Sequence, residues 1–246
     1  MGHPERSVNA ANDAHRRAFT RYLESELAER PDLVEKALPQ YPPFGKRMLL
    51  DNGWYAALRR DDVDLVTDAV AEVLPTGVRT VAGEVHDADV VVMATGFAAH
   101  DFLAGVDVRG RDGAVLREVW GDDDAWAHLG VTVPGFPNLF LLSGPNTALG
   151  HGGSQITIIE MQMRYVARLL TAMVDDGVGT LEVRDDVARA YRDEVDAAHA
   201  EMIWTHRGMT NWYRNTAGRV VNTLPWRIVD YRDRLEAAGT DDFRTG

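Results

Sequence analysis

Two short apolar runs constrain the fold of this chain more than any other feature. Asp89-Val90-Val91-Val92-Met93 is mostly β-branched and runs into Ala94-Thr95-Gly96. Leu139-Phe140-Leu141-Leu142 is apolar throughout and runs into Ser143-Gly144-Pro145-Asn146. Neither run alternates apolar with polar residues, so neither reads as a strand with one wet face. Continuous runs of this length are the profile of strands buried on both faces, as in parallel sheets covered by helices. The expectation is an α/β protein in which both strands require neighbours.

The surrounding chain supplies helices. Gly150-His151-Gly152-Gly153 leads to Ser154, whose hydroxyl can cap a helix by accepting from a first-turn N–H. Ile156, Ile159, Met163, Val166 and Leu170 then recur on one expected apolar face. Val187, Tyr191, Val195 and Ala198 mark another amphipathic helix over 185–202. Near the start, Phe19, Leu23 and Leu27 place a helical stretch within 10–38. It should break before Pro31 and end at Pro39, Pro42 and Pro43, since proline fixes φ and removes a donor. Short strands are expected at 48–50 and 63–66, a short helix at 54–59, and hairpin strands over 69–80 and 81–86 around Gly77 and Gly83. Trp204, Trp212, Tyr213, Trp226 and Tyr231 read as core or interface aromatics.

Composition excludes several function classes. The 38 acidic against 26 basic side chains give a net charge of −12, a field that repels nucleic acid and anionic membrane surfaces. The absence of cysteine removes disulfides, thiolate metal sites and thiol nucleophiles. No apolar run approaches the length of a bilayer span, and residues 1–6 carry no apolar stretch of a signal peptide, so a cytoplasmic chain is expected. His151 has no carboxylate or second histidine at metal-ligand spacing and reads as a packing loop residue.

Four segments carry a family resemblance: Asp87 through Ala94-Thr95-Gly96-Phe97; Pro134-Gly135-Phe136-Pro137-Asn138-Leu139-Phe140 with Gly144-Pro145-Asn146-Thr147; Pro43-Phe44-Gly45-Lys46-Arg47; and Asn211-Trp212-Tyr213. Together they resemble the Baeyer–Villiger flavin monooxygenases over about residues 31–231. The stretch from Gly144 to Ser154 is most similar to the 4-hydroxyacetophenone monooxygenase subgroup. One departure is decisive for extent. The family carries two Gly-x-Gly-x-x-Gly turns, where helix N-termini hold dinucleotide pyrophosphates. None occurs here: Gly150-His151-Gly152 is followed by Gln155 where the third glycine should stand.

The resemblance therefore implies the C-terminal portion of a two-domain FAD/NAD(P)-binding α/β fold, unable to hold FAD unaided. Residues 1–42 would be the end of a helical insert, 43–96 the second half of the NADPH-binding domain, and 97–246 the C-terminal part of the FAD-binding domain. The implied activity uses FAD, NADPH and O2 to insert oxygen beside a ketone, an aryl ketone by the subgroup likeness. Arg47 would be the active-site arginine, a fixed planar cation. Lys46 would meet the 2′-phosphate of NADPH. Thr95 and Gly96 would lie where the two nucleotide domains cross. Gly144, Pro145, Asn146, Thr147, Gly152, Gly153 and Ser154 would face the flavin, where glycines permit close approach and a helix N-terminus favours negative charge.

Read without the resemblance, Lys46-Arg47 is solvated surface charge and 144–154 is a strand–loop–helix turn with glycines for steric reasons. A competing function is a non-catalytic remnant or interaction subunit that pairs with a separate N-terminal chain or forms a homo-oligomer. An N- or S-oxygenating flavin monooxygenase fits Lys46-Arg47 less well.

Overall fold

A computed structural model describes residues 6–50, 52–150 and 152–246. The expectations on His151 and on the first residues of the chain lie outside the described residues. The chain divides into two compact units, Met1–Pro43 with Met48–Phe97, and Phe44–Arg47 with Ala98–Gly246.

The first unit opens with α1 (Ala10–Glu26), capped by Asn9, whose side chain accepts the N–H of Asn12 at 2.8 Å. Helix α2 (Pro31–Ala37) starts on proline, which gives up no helical donor there. With α3 (Trp54–Leu58) they enclose a small core of Leu23, Leu27, Leu33 and Leu58. Buried Asn12 ties α1 to the proline segment, donating from Nδ2 to the Pro43 carbonyl at 3.0 Å.

Strands β1 (Val70–Leu74), β2 (Gly77–Thr80) and β3 (Val85–Asp87) form an antiparallel sheet in that order. Leu74 pairs with Gly77, and Gly77 with Asp87. A Cβ on Gly77 would lie 2.0 Å from the His86 carbonyl oxygen, so only glycine fits that crossing. The expected hairpin is thus a three-stranded meander. Residues 48–50 and 63–66 form no strand, because nothing among the described residues pairs with them.

The expected buried strand at Asp89–Met93 is also corrected: the segment joins no sheet, and Val90 and Val92 are 77% and 80% exposed. A parallel strand exists only where neighbours complete its ladder, and among the described residues this run has none.

The second unit holds α4 (Leu116–Trp120), α5 (Gln155–Asp176), β4 (Leu181–Val183), α6 (Asp185–Ala200), α7 (Ile228–Ala237) and β5 (Phe243–Thr245), with β4 and β5 antiparallel. Its core gathers Val131, Val133, Ile158, Leu169, Val195 and Tyr231 around α5. Ser154 caps α5 as expected, and Gly177 ends it in the left-handed conformation that suits glycine.

The buried face of α5 differs from expectation. Ile158, Gln162, Tyr165, Val166 and Leu169 point inward, whereas Ile156, Met163 and Leu170 are exposed. The helix is apolar on two sides, and periodicity alone does not say which side packs. In α6, Tyr191 and Val195 are buried as expected, with Ala188 and His199 completing the stripe in place of Val187 and Ala198.

Leu139–Leu142 forms no strand either. Leu141 donates to the Val131 carbonyl at 2.7 Å, a single bond and no ladder. In the tail, Trp204, Tyr213 and Val220 make a small core of their own, Tyr231 is fully buried and Trp212 is exposed. No helix among the described residues is long and apolar enough to cross a membrane.

Candidate functional site

The turn from Leu142 into α5 is braced from two sides. Ser143 and Asn146 both sit at φ +57°, in the left-handed region. A Cβ on Gly144 would lie 2.3 Å from the Gly130 carbonyl oxygen, and one on Gly130 2.1 Å from Thr147 Cγ2. The two glycines therefore let the loop cross the 127–131 turn at backbone contact. Thr147 Oγ1 closes the bend by donating to the Gly144 carbonyl at 2.7 Å.

Two glutamines of α5 hold the loop from one side. Gln155 Nε2 donates to Ser143 Oγ at 2.9 Å and to the Thr147 carbonyl at 3.3 Å, while its Oε1 accepts from Leu149 N at 3.3 Å. Gln162, fully buried, accepts from Ser143 N at 2.8 Å and donates to Tyr231 Oη at 2.9 Å. Tyr231 in turn donates to the Leu129 carbonyl at 2.6 Å. Breaking such a buried chain strands its remaining members, at about 1–3 kcal/mol per orphaned group.

The 219–224 segment holds the other side. Asn146 N donates to the Val221 carbonyl at 3.0 Å, and its Nδ2 to the Val220 carbonyl at 2.8 Å. Ala148 donates to the Asn222 carbonyl at 2.9 Å and accepts from Leu224 at 2.8 Å, a parallel bridge. Arg219 orients the amide of Asn146. Its guanidinium donates to both Asp196 carboxylate oxygens at 2.8 and 3.1 Å, to Asp124 at 3.3 Å, to the Ala125 carbonyl at 3.2 Å and to Asn146 Oδ1 at 3.3 Å.

His199 lies beneath this network with Nε2 2.9 Å from the Thr223 carbonyl, so Nε2 carries the proton, and buried Nδ1 has no partner among the described residues. Burial, assisted by Arg219 and opposed by the Thr223 bond, holds its pKa down to about 4. It is a neutral structural histidine at physiological pH.

The candidate residues fall into three groups. Gly144, Pro145, Asn146 and Thr147 are buried, and the bonds of Asn146 and Thr147 brace the loop. Gly152, Gly153 and Ser154 are exposed; Gly152 and Gly153 have φ +59° and +89°, and a Cβ on Gly152 would meet nothing within 4 Å. Ser154 caps the first turn of α5: its Oγ accepts from Ile156 N at 3.2 Å and its carbonyl from Thr157 N at 3.1 Å and Ile158 N at 3.4 Å. Arg47, exposed on the 44–47 segment of this unit, donates from Nη1 to the Gly150 carbonyl at 2.9 Å and to that of Leu149 at 3.4 Å.

The structure thus joins Arg47 to the glycine turn, across about a hundred residues of sequence. Lys46 is its exposed neighbour. Thr95 and Gly96 belong to the first unit, exposed, with Gly96 at φ +94°. Sequence reasoning missed Gly130, Gln155, Gln162, Arg219 and His199. None stands in a recognisable motif, although a glutamine on the inward face of an apolar helix signals a buried hydrogen-bond partner.

No family model matches the sequence. An uncharacterized monooxygenase of Sinorhizobium fredii is 49% identical over 243 residues, covering 99% of this chain and 37% of the relative. A Baeyer–Villiger monooxygenase of Pseudomonas aeruginosa is 32% identical over 226 residues, covering 90% of this chain and 42% of the relative. Among solved structures, OTEMO complexed with FAD and NADP superposes with a TM-score of 0.86 at 26% identity, over 98% of this chain and 46% of that one. The chain spans less than half the length of each of these proteins. In sequence and in fold the chain matches the C-terminal part of Baeyer–Villiger monooxygenases.

Proposed function

We propose that this chain is the part of an FAD- and NADPH-dependent Baeyer–Villiger monooxygenase that closes over the flavin and places a cation beside the ketone, an aryl ketone by subgroup likeness. The observation that carries the reading is the seat of Arg47. Its Nη1 rests on the Gly150 and Leu149 carbonyls, at the start of the open glycine turn into α5.

The residues present fit a flat anionic ring on one count. Gly152 is exposed and, its chain neighbours aside, a Cβ on it would meet nothing among the described residues within 4 Å; the backbone leads from there into the N-terminus of a 22-residue helix. They do not fit the pyrophosphates, for which the sequence offers no glycine-rich turn. When bound, the flavin and nicotinamide supply reducing equivalents and activate O2.

This chain's own contribution is electrostatic and positional. The carbonyls of Leu149 and Gly150 hold the guanidinium plane by one nitrogen, and a guanidinium has five donors, so among the described residues others are left for an oxygen that gains negative charge. The positive end of α5 acts in the same direction. Lys46, next along, offers a point charge to the 2′-phosphate of NADPH. The braces at Asn146, Gln155 and Gln162 keep the turn fixed, which matters because a preorganised donor need not reorganise as charge develops.

The test is a pair of neighbouring substitutions in a complex that holds flavin. Lys46→Ala should weaken NADPH by about 1.5–3 kcal/mol, the scale of a charge-assisted bond, and leave NADH nearly unchanged. Arg47→Ala should cut ester formation by about 10²–10³-fold, while oxygen is still consumed and leaves as hydrogen peroxide. Near-normal ketone oxidation by Arg47→Ala would refute the assignment. A second reading, a non-catalytic chain that pairs with a separate N-terminal half or with itself, is supported by apolar surface left uncovered in both units.

A further inference from the structure

Helix α5 has a second apolar face that nothing in the second unit covers. Ile156, Met163 and Leu170 recur every seven residues, and Val174 follows one turn later; they are 76, 47, 45 and 80% exposed. Ala167 lies between them and is exposed too. On a helical projection this stripe is about a third of a turn from the face that packs on Tyr231 and Leu235. The Glu160–Arg164 pair at 2.8 Å borders it with charge, an apolar centre with a polar rim. Single exposed apolar residues need no explanation, but a continuous stripe along a 22-residue helix does.

A second feature of the same unit is unsatisfied in its backbone. Along Leu139–Leu142, the N–H of Leu141 is bonded to Val131, whereas those of Phe140 and Leu142, which alternate to the opposite edge, have no partner among the described residues. Leu142 is 43% exposed. An apolar helix face is satisfied by any apolar layer, but an open strand edge is satisfied only by another strand. The two together demand a sheet whose edge strand pairs with 139–142 and whose apolar face receives a helix.

The geometry points to one occupant: an α/β body with a parallel sheet, the portion of the monooxygenase fold that this chain does not span, docked on the α5 stripe and the 139–142 edge. The relatives support this choice, since the Sinorhizobium fredii protein leaves 63% of its length unmatched. The inference rests on the flavoprotein reading above and adds to it the surface through which the flavin-bearing partner is held.

The experiment mixes the full chain with the segment of the Sinorhizobium fredii monooxygenase that lies outside its match, and measures association by sedimentation. A 1:1 complex is expected. Ile156→Glu/Met163→Glu/Leu170→Glu, three changes at exposed positions, should weaken it at least about 100-fold, on the scale of buried hot-spot residues. Arg189→Ala on α6, an exposed residue paired only with Asp185, should not.

Absence of a complex overturns the proposal, as does a complex insensitive to the triple change. So does a chain that dimerises through the stripe without the added segment, which would make a second copy the occupant. If the complex forms through the stripe but does not oxidise NADPH or ketone, the docking surface stands and the functional reading falls. If NADPH-dependent ketone oxidation is restored and the triple variant leaves it unchanged, the functional reading stands and the docking surface falls.

Discussion

Two buried histidines should make the second unit fail in mild acid. His128 is buried with neither ring nitrogen bonded among the described residues, edge-on to Tyr191 at 5.3 Å between ring centres. Burial pushes its pKa from 6.5 down to about 4, and Asp242 and Glu194 oppose this only in part. His199 is held down to about 4 as well. A base with a folded pKa below its unfolded value binds its proton first in the unfolded chain. Stability is therefore complete above about pH 6.5 and falls as pH drops toward 4. With pKa values of 6.5 and about 4, each histidine removes about 2 kcal/mol by pH 5 relative to pH 8. Together that is about 4 kcal/mol, a large share of the 5–15 kcal/mol typical of a domain.

Urea unfolding followed by tryptophan fluorescence between pH 5 and 8 measures the slope. His128→Phe keeps the ring against Tyr191 and removes two orphaned nitrogens, so it should be neutral to about 1 kcal/mol stabilising at pH 8 and halve the acid slope. His199→Phe should also flatten the slope but lose about 1–3 kcal/mol at pH 8, because the Thr223 carbonyl loses its donor. An unchanged slope in His128→Phe, or a loss above about 1 kcal/mol at pH 8, would refute the reasoning.

Other outcomes follow from the loop. Gly144→Ala forces a methyl to within 2.3 Å of a backbone oxygen that cannot swing away, and should lower stability by about 1–3 kcal/mol or more in the same unfolding assay. Arg219→Met leaves Asp196 and the oxygen of Asn146 without their donor; amide exchange should rise selectively over 143–150, and uniform protection there would contradict the bracing role. The isolated chain should purify nearly colourless and leave NADPH unoxidised, since no glycine turn holds a pyrophosphate; stoichiometric FAD in the absorption spectrum would count against it.

What the sequence disclosed, and what it did not, divides by the range of the interactions involved. Local rules located α1, α2, α3 and α5: the spacing of Phe19, Leu23 and Leu27 marks α1, the break before Pro31 separates α2 from it, and Ser154 caps α5 where its chemistry requires. The extended segments were legible in character and not in outcome. Asp89–Met93 has the composition of a buried strand, yet composition cannot supply the neighbour that a ladder needs, and the run lies exposed. The same limit explains α5. Its two apolar stripes have equal claims on a core, and the one that packs is decided by Tyr231 and Leu235, about seventy residues away.

The candidate site followed the same division. Lys46-Arg47 and the 144–154 turn were conspicuous as motifs, while the bond between them was not, because nothing local relates residue 47 to residue 150. Nor could the sequence distinguish the two halves of the turn. Gly144 through Thr147 are buried, whereas Gly152 to Ser154, further on, are exposed. The difference has a mechanistic consequence. If the buried half braces and the open half faces the flavin, substitutions at Asn146 should act by loosening the turn, so that Arg47 loses its seat on the Gly150 carbonyl. They would then resemble weakened Arg47 variants in ester formation. A direct contact of Asn146 with the flavin would instead alter flavin affinity and leave the behaviour of Arg47 intact.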